Sequence, residues 1–88
     1  MPDLTTLLGV AAAGLTSLSY IPQVRKALPK GATDDLSLKM LLALFFGLAL
    51  WCIYGLVKGD LVIIIANLVG ASLVGIVLFC KVRDERAS

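Results

Sequence analysis

MLLALFFGLALWCIYGLVKGDLVIIIANLVGASLVGIVLFC occupies residues 40–80, and its only charged side chains are Lys58 and Asp60, one residue apart near the middle. The uncharged runs on either side, Met40 to Val57 and Leu61 to Cys80, are each long enough as a helix to cross a hydrocarbon core of about 30 Å. Neither run alternates apolar and polar residues as barrel strands do, so a helix is the form that satisfies the backbone in lipid. Lys58-Gly59-Asp60 is a tight turn, which makes the two spans an antiparallel hairpin.

Toward the N-terminus a third uncharged run, Leu4 to Val24, is also long enough to span. No Lys or Arg precedes it, and it exceeds the apolar length of a signal peptide, so it is expected to stay in the mature protein. The predicted helices cover about residues 4–28, 38–57 and 61–82 of a single membrane domain, 1–88. The stretch from Arg25 to Lys39, with Pro29 and Gly31, holds the longer connection, and Asp84 to Ser88 read as a short charged tail that frays.

Composition agrees. The chain has 88 residues, 59% hydrophobic and 16% charged, and a mean hydropathy of +0.96. So short a chain cannot hide that much apolar surface in a core of its own, which argues against a soluble enzyme and for burial in a bilayer. The absence of His removes histidine-based catalysis and the commonest metal ligand, so neither a metal nor a cofactor is expected. Of eight Lys and Arg, seven (Arg25, Lys26, Lys30, Lys39, Lys81, Arg83 and Arg86) fall on one side of the membrane and only Lys58 on the other. The positive-inside rule puts the N-terminus outside and the C-terminus in the cytoplasm. These charges read as anchors and topology signals, and the net charge of +2 implies no nucleic-acid partner. Cys52 and Cys80 fall roughly 20 Å apart in depth and read as small apolar fillers.

No Asp, Glu, Lys, Arg or His falls inside any of the three runs, which disfavours a proton-coupled route on side-chain carboxylates. The few polar groups left are informative. Asn67 is the only Asn, and a carboxamide in lipid must find partners. Trp51 lies seven residues before Lys58 and Asn67 seven after Asp60, so the two sit level, roughly 10 Å below the turn. An indole face beside a carboxamide suits a ligand with apolar ring faces and hydroxyl edges, which describes a sugar. An interhelical hydrogen bond for Asn67 and an interfacial position for Trp51 are the alternatives at this stage. Tyr54 and Lys58 continue the Trp51 face toward the turn, where Asp60 follows. Together they read either as a closable mouth or as an interfacial anchor with an exposed ion pair. Pro22 deprives the Leu18 carbonyl of its helical donor, so a kink is expected there, hinge or static, with Gln23 beside it. Small residues such as Ala66 with Gly70 and Ala71 with Gly75 allow close helix packing. Three packed helices enclose no room for a solute, so a transport route needs a second copy, most simply in a symmetric pair.

Pro22-Gln23, the stretch Thr33-Asp34-Asp35-Leu36-Ser37, then Trp51, Tyr54-Gly55, Gly59-Asp60 and Ala66-Asn67, in this order on three spans, resemble the SemiSWEET family of bacterial sugar transporters, half-size relatives of the SWEET and PQ-loop proteins. The resemblance covers nearly the whole chain. It implies an all-α membrane protein, a three-transmembrane-helix bundle working as a symmetric homodimer with alternating access. It further implies that Trp51 and Asn67 of both copies hold the sugar, that Pro22 with Gln23 forms the hinge motif, and that Tyr54, Lys58 and Asp60 form the outer gate. Tyr20 and Met40 are assigned to the inner gate. Lys58 stands where an Arg is familiar, which changes a bidentate gate pair with Asp60 into a point-charge contact. Asp35 stands where a Gly is familiar.

The function expected is passive uniport of a small neutral mono- or disaccharide across the bacterial inner membrane. The rivals are a phage-type holin and a small subunit of a larger membrane complex.

Overall fold

The structure, a computed structural model, describes residues 3–87. Three helices account for nearly all of them: α1 Leu4–Ala27, α2 Leu38–Lys58 and α3 Leu61–Ala87, each long and apolar enough to cross a membrane. Side-chain caps fix where they start. Asp3 accepts from Thr6 N at 2.8 Å, Ser37 from Met40 N at 3.2 Å and Asp60 from Ile63 N at 3.2 Å, each satisfying an amide that has no partner in the first turn. Gly59, in the left-handed region at φ 70°, closes α2, and the Asp60 amide returns to the Gly55 carbonyl at 2.9 Å. α1 runs on through Pro22 without a break in its helical assignment.

The helices are not arranged in chain order. α3 packs against both α1 and α2, while α1 and α2 make no close backbone approach to each other among the described residues. Glycine contacts set the register. A methyl group added to Gly55 of α2 would lie 2.9 Å from Ile64 Cγ1 and 3.1 Å from the Ile64 backbone nitrogen. Tyr20 of α1 and Leu48 of α2 both lie over Gly70 of α3, Phe45 over Gly75, and Val62 over Gly9. These pairings make α1 parallel and α2 antiparallel to α3.

The backbone trace extends 51 × 23 × 14 Å, so the bundle is flattened. Its buried residues Ala27, Leu41, Val74, Val77 and Cys80 cluster toward the end that carries the 28–37 loop, with Val24, Leu36, Leu44 and Phe45 packed around them. Elsewhere both faces stay open, and Leu8, Leu15, Phe46, Leu50 and Phe79 are exposed. Cys52 and Cys80 are free thiols.

The tail expected to fray, Asp84 to Ser88, is helical as far as Ala87, and Ser88 lies outside the described residues. α3 passes residue 82 and continues to Ala87, because its last turns are tied down. The Arg83 guanidinium donates to the carbonyls of Ala27 and Leu28 at 3.2 and 2.8 Å, acceptors left over at the end of α1, and to the loop carbonyl of Pro29 at 3.0 Å. Asp84, its side chain only 7% exposed, accepts from the amides of Gly31 and Thr33 and from the Thr33 hydroxyl. Lys81, read from sequence as an anchor at the membrane surface, is buried and donates to the Thr33 carbonyl at 3.0 Å while pairing with Glu85.

Candidate functional site

Asn67 and Trp51 lie at one level near the middle of the bundle, fixed by the register of the helices. Because Leu48 lies over Gly70, Trp51, three residues onward in antiparallel α2, stands opposite Asn67, three residues back in α3. Tyr20 over Gly70 and Gly9 over Val62 bracket the same level on α1 between Gly14 and Ser17, which includes Thr16.

Asn67 lines a groove of about 270 Å³ between α1 and α3, together with Thr16, Ser17, Tyr20, Leu48 and Ala66. Its Nδ2 donates to the Ile63 carbonyl one turn back at 2.8 Å, so the interhelical hydrogen bond considered from sequence does not form. That bond orients the amide and leaves Oδ1 and one N–H without a partner among the described residues. The hydroxyls of Thr16, Ser17 and Tyr20 likewise make no hydrogen bond to the described residues. The groove thus has an apolar floor of Gly9, Ala12, Ala13 and Val62 and a rim of uncommitted polar groups, which suits a polyhydroxylated ligand with one apolar ring face.

Trp51 does not line that groove within a single chain. It is 52% exposed and borders a separate depression with Leu50 and Tyr54, whose ring meets the indole edge to face at a centroid distance of 5.2 Å. Helical phase nevertheless places it on the Leu48 edge of α2, one turn nearer the α2–α3 turn, and Leu48 is part of the groove wall. Met40, Gly47, Trp51, Tyr54 and Lys58, at helical spacings, share one face of α2.

The residues assigned to the outer gate are separated in role. Tyr54 stacks on Trp51, Lys58 ends α2, and Asp60 spends a carboxylate oxygen on the first turn of α3. Lys58 and Asp60 form no ion pair within the chain. At the other end Tyr20 and Met40 are apart. Tyr20 is half-buried over Gly70 and forms part of the Asn67 groove, whereas Met40 is exposed at the start of α2. Pro22 and Gln23 are both exposed on α1, one turn before the Arg83 contacts begin. Asp35 pairs with Lys26 at 2.9 Å, and that hydrogen bond holds its carboxyl below the ordinary range.

Sequence reasoning overlooked Thr16 and Ser17. Hydroxyl residues in an apolar helix ordinarily bond back to their own backbone, as Ser72 does to Leu68 O at 2.9 Å, so their type announces nothing. Only the register of α1 against α3 brings them to the Asn67 level.

Comparison with known proteins gives one consistent answer. The family model described as a sugar efflux transporter for intercellular exchange matches residues 6–86. The sugar transporter SemiSWEET of Bradyrhizobium diazoefficiens is 45% identical over 82 residues, 93% of this chain and 95% of that protein. The sugar transporter SemiSWEET of Leptospira biflexa is 40% identical over 78 residues, 89% of this chain and 92% of that one. A crystal structure of a bacterial homologue of SWEET transporters superposes with a TM-score of 0.85 at 33% identity, covering 93% of this chain and 99% of the other.

Proposed function

Since the chain belongs to the SemiSWEET branch of the sugar efflux transporter family, we propose that it carries a small neutral sugar passively across the bacterial cytoplasmic membrane as a symmetric homodimer. The N-terminus lies outside and the basic 28–37 loop inside, in keeping with the distribution of Lys and Arg.

The observation that carries this reading is a mismatch between polar groups and enclosure. A flattened three-helix bundle holds an oriented amide and three uncommitted hydroxyls near mid-height, close to the level of an exposed indole, and the groove they line is open. In a bilayer such groups are costly against acyl chains. A second copy laid face to face by a two-fold axis covers them and creates a wet central cavity with two Trp51 and two Asn67 side chains. The sugar stacks on indole and donates hydroxyl hydrogens to Asn67 Oδ1, while Thr16, Ser17 and Tyr20 supply further contacts.

Alternating access follows from opening the pair first at one end and then at the other, with α1 flexing at Pro22. Tyr54 and Lys58 close the outer mouth across the dimer axis, and Asp60 contributes its second carboxylate oxygen. Met40 closes the inner mouth. No Asp, Glu, Lys or Arg lies within the runs 4–24, 40–57 and 61–80 to couple the cycle to protons, so the sugar gradient alone sets direction. A lesion-forming holin gains no support from a family of sugar transporters.

Liposomes holding only this protein are expected to equilibrate labelled glucose or sucrose without a proton or sodium gradient. Uptake that required either gradient would refute uniport. Carriage of neither sugar, nor of any in a wider labelled panel, would refute the sugar reading itself.

A further inference from the structure

Every polar bond that ties the 28–37 loop to the rest of the bundle through a buried group ends on one short stretch of α3. Arg83 Nη1 and Nη2 reach the Ala27 and Leu28 carbonyls that finish α1 and the Pro29 carbonyl in the loop, and its Nε holds Asp84 Oδ1 at 2.9 Å. Asp84 in turn takes Gly31 N at 3.0 Å, Thr33 N at 3.2 Å and Thr33 Oγ1 at 2.5 Å. Lys81 closes on the carbonyl of the same threonine, which has no exposed surface at all. Three charges within one turn of α3 therefore hold backbone groups of Leu28, Pro29, Gly31 and Thr33, and α2 supplies none of these bonds.

We propose that this cluster is a latch that stays shut throughout the transport cycle. It makes the part of α1 beyond Pro22, the loop as far as Thr33, and the end of α3 into one rigid body. The inference rests on the transport reading above but concerns which parts of the chain move. Swinging the end of α1 away from α3 would strip partners from Thr33, Lys81 and Asp84 together, and groups this enclosed keep the full desolvation penalty when a partner leaves. The leftover carbonyls of α1 also form the negative end of its dipole, which the Arg83 charge complements. Flexing at Pro22 therefore moves residues 4–21 against a fixed end, and the loop end opens between copies or along α2, where the contacts are apolar and can slide. Arg83, Lys81 and Asp84 are positioning residues, and none belongs to the proposed sugar site.

The test joins the two sides of the latch covalently. In a Cys52→Ala, Cys80→Ala background, Thr33→Cys with Asp84→Cys removes the bonds, and a one-carbon bis-methanethiosulfonate reagent then bridges the pair reversibly. Sugar uptake into liposomes is measured per binding-competent dimer, counted by titrating the fluorescence of the single tryptophan, so that misfolded material does not enter the rate. Without the bridge, the maximal rate is expected to fall by about tenfold with half-saturation unchanged. With the bridge in place it should return to within about twofold of the background protein, since a latch that never opens loses nothing by being closed covalently. A bridged protein that stops transporting and resumes on reduction would overturn the proposal. So would an unbridged variant whose rate per competent dimer equals the background. If the background protein itself carries no sugar, the transport reading fails instead, and the two failures are distinct.

Discussion

The two ends of this small bundle are finished in different ways. At the loop end the chain completes itself, because Ala27, Leu41, Val77 and Cys80 fill the space between helices and the Lys81, Arg83 and Asp84 side chains satisfy the loop backbone. From mid-height to the α2–α3 turn it does not. There Trp51 and Tyr54 are about half exposed and the Asn67 amide keeps an unused acceptor. The difference separates stability from function. Polar groups that hold the fold are paired within the chain, and those proposed to bind sugar are left for a ligand and a second copy to satisfy.

The sharpest way to break this contrast is to remove the unfinished groups. Trp51→Ala and Asn67→Ala are each expected to reduce sugar uptake to the liposome background while leaving the dimer peak intact in detergent gel filtration. A variant that transports normally would move the site elsewhere. Thermal stability should hardly change, since Trp51 is largely exposed in the single chain and the Asn67 bond is local to its helix.

The next largest effect lies in the packing that both ends share. Gly55→Ala places a methyl 2.9 Å from Ile64 Cγ1 and against the backbone of α3, which cannot yield as a side-chain tip does. A cost of about 1–3 kcal/mol is expected, read as a lower unfolding temperature in detergent. Gly70→Ala meets only the Tyr20 ring edge at 3.3 Å and the Leu48 methyls at 3.5 Å and beyond, so it should cost less. It should disturb transport more than stability, because Tyr20 and Leu48 form the groove wall. Equal losses of stability in both variants would show that helix packing does not distinguish the two regions.

Much of the fold could be read from the sequence because lipid penalises charge so heavily. Lys58 and Asp60 could only be a turn, and three uncharged runs could only be spans. The order α1–α3–α2 could not be read, since a connection of ten residues reaches either neighbour. Asn67 drew notice by being unique, and its level with Trp51 follows from counting along an antiparallel hairpin. The latch escaped for a definite reason. Lys81, Arg83 and Asp84 look like the solvated tail of a membrane helix, and their partners are chiefly backbone groups of Ala27, Leu28, Gly31 and Thr33, which no side-chain pattern reveals.

Thr16 sharpens the contrast on the unfinished side. Thr16→Val keeps the shape and removes a hydroxyl that faces the Asn67 groove, so half-saturation for sugar should rise by roughly threefold to tenfold, the value of one neutral hydrogen bond. The maximal rate should hold. Thr16→Ser should restore affinity, and if valine and serine behave alike the hydroxyl is not a ligand contact.

The smallest effect belongs to a charge at the finished end that is nonetheless exposed. Lys26 and Asp35 meet at 2.9 Å with side chains 65% and 62% exposed, so solvent screens the pair and its geometry alone overstates its worth. The hydrogen bond from Lys26 lowers the Asp35 carboxyl below its ordinary value. Whatever the pair contributes is therefore present above the unfolded carboxylate range and is lost as pH falls through the folded one. Asp35→Asn should leave transport unchanged and shift the unfolding temperature only slightly at pH 7, with the variant and parent curves converging as pH falls through the lowered range of the folded carboxyl. Asp84→Asn, measured alongside, should behave otherwise. Its carboxylate is enclosed and holds three loop donors, so the variant should already differ clearly at pH 7. A large effect at Asp35 and none at Asp84 would mean that enclosure, on which the contrast between the two kinds of polar group depends, does not decide what holds the loop.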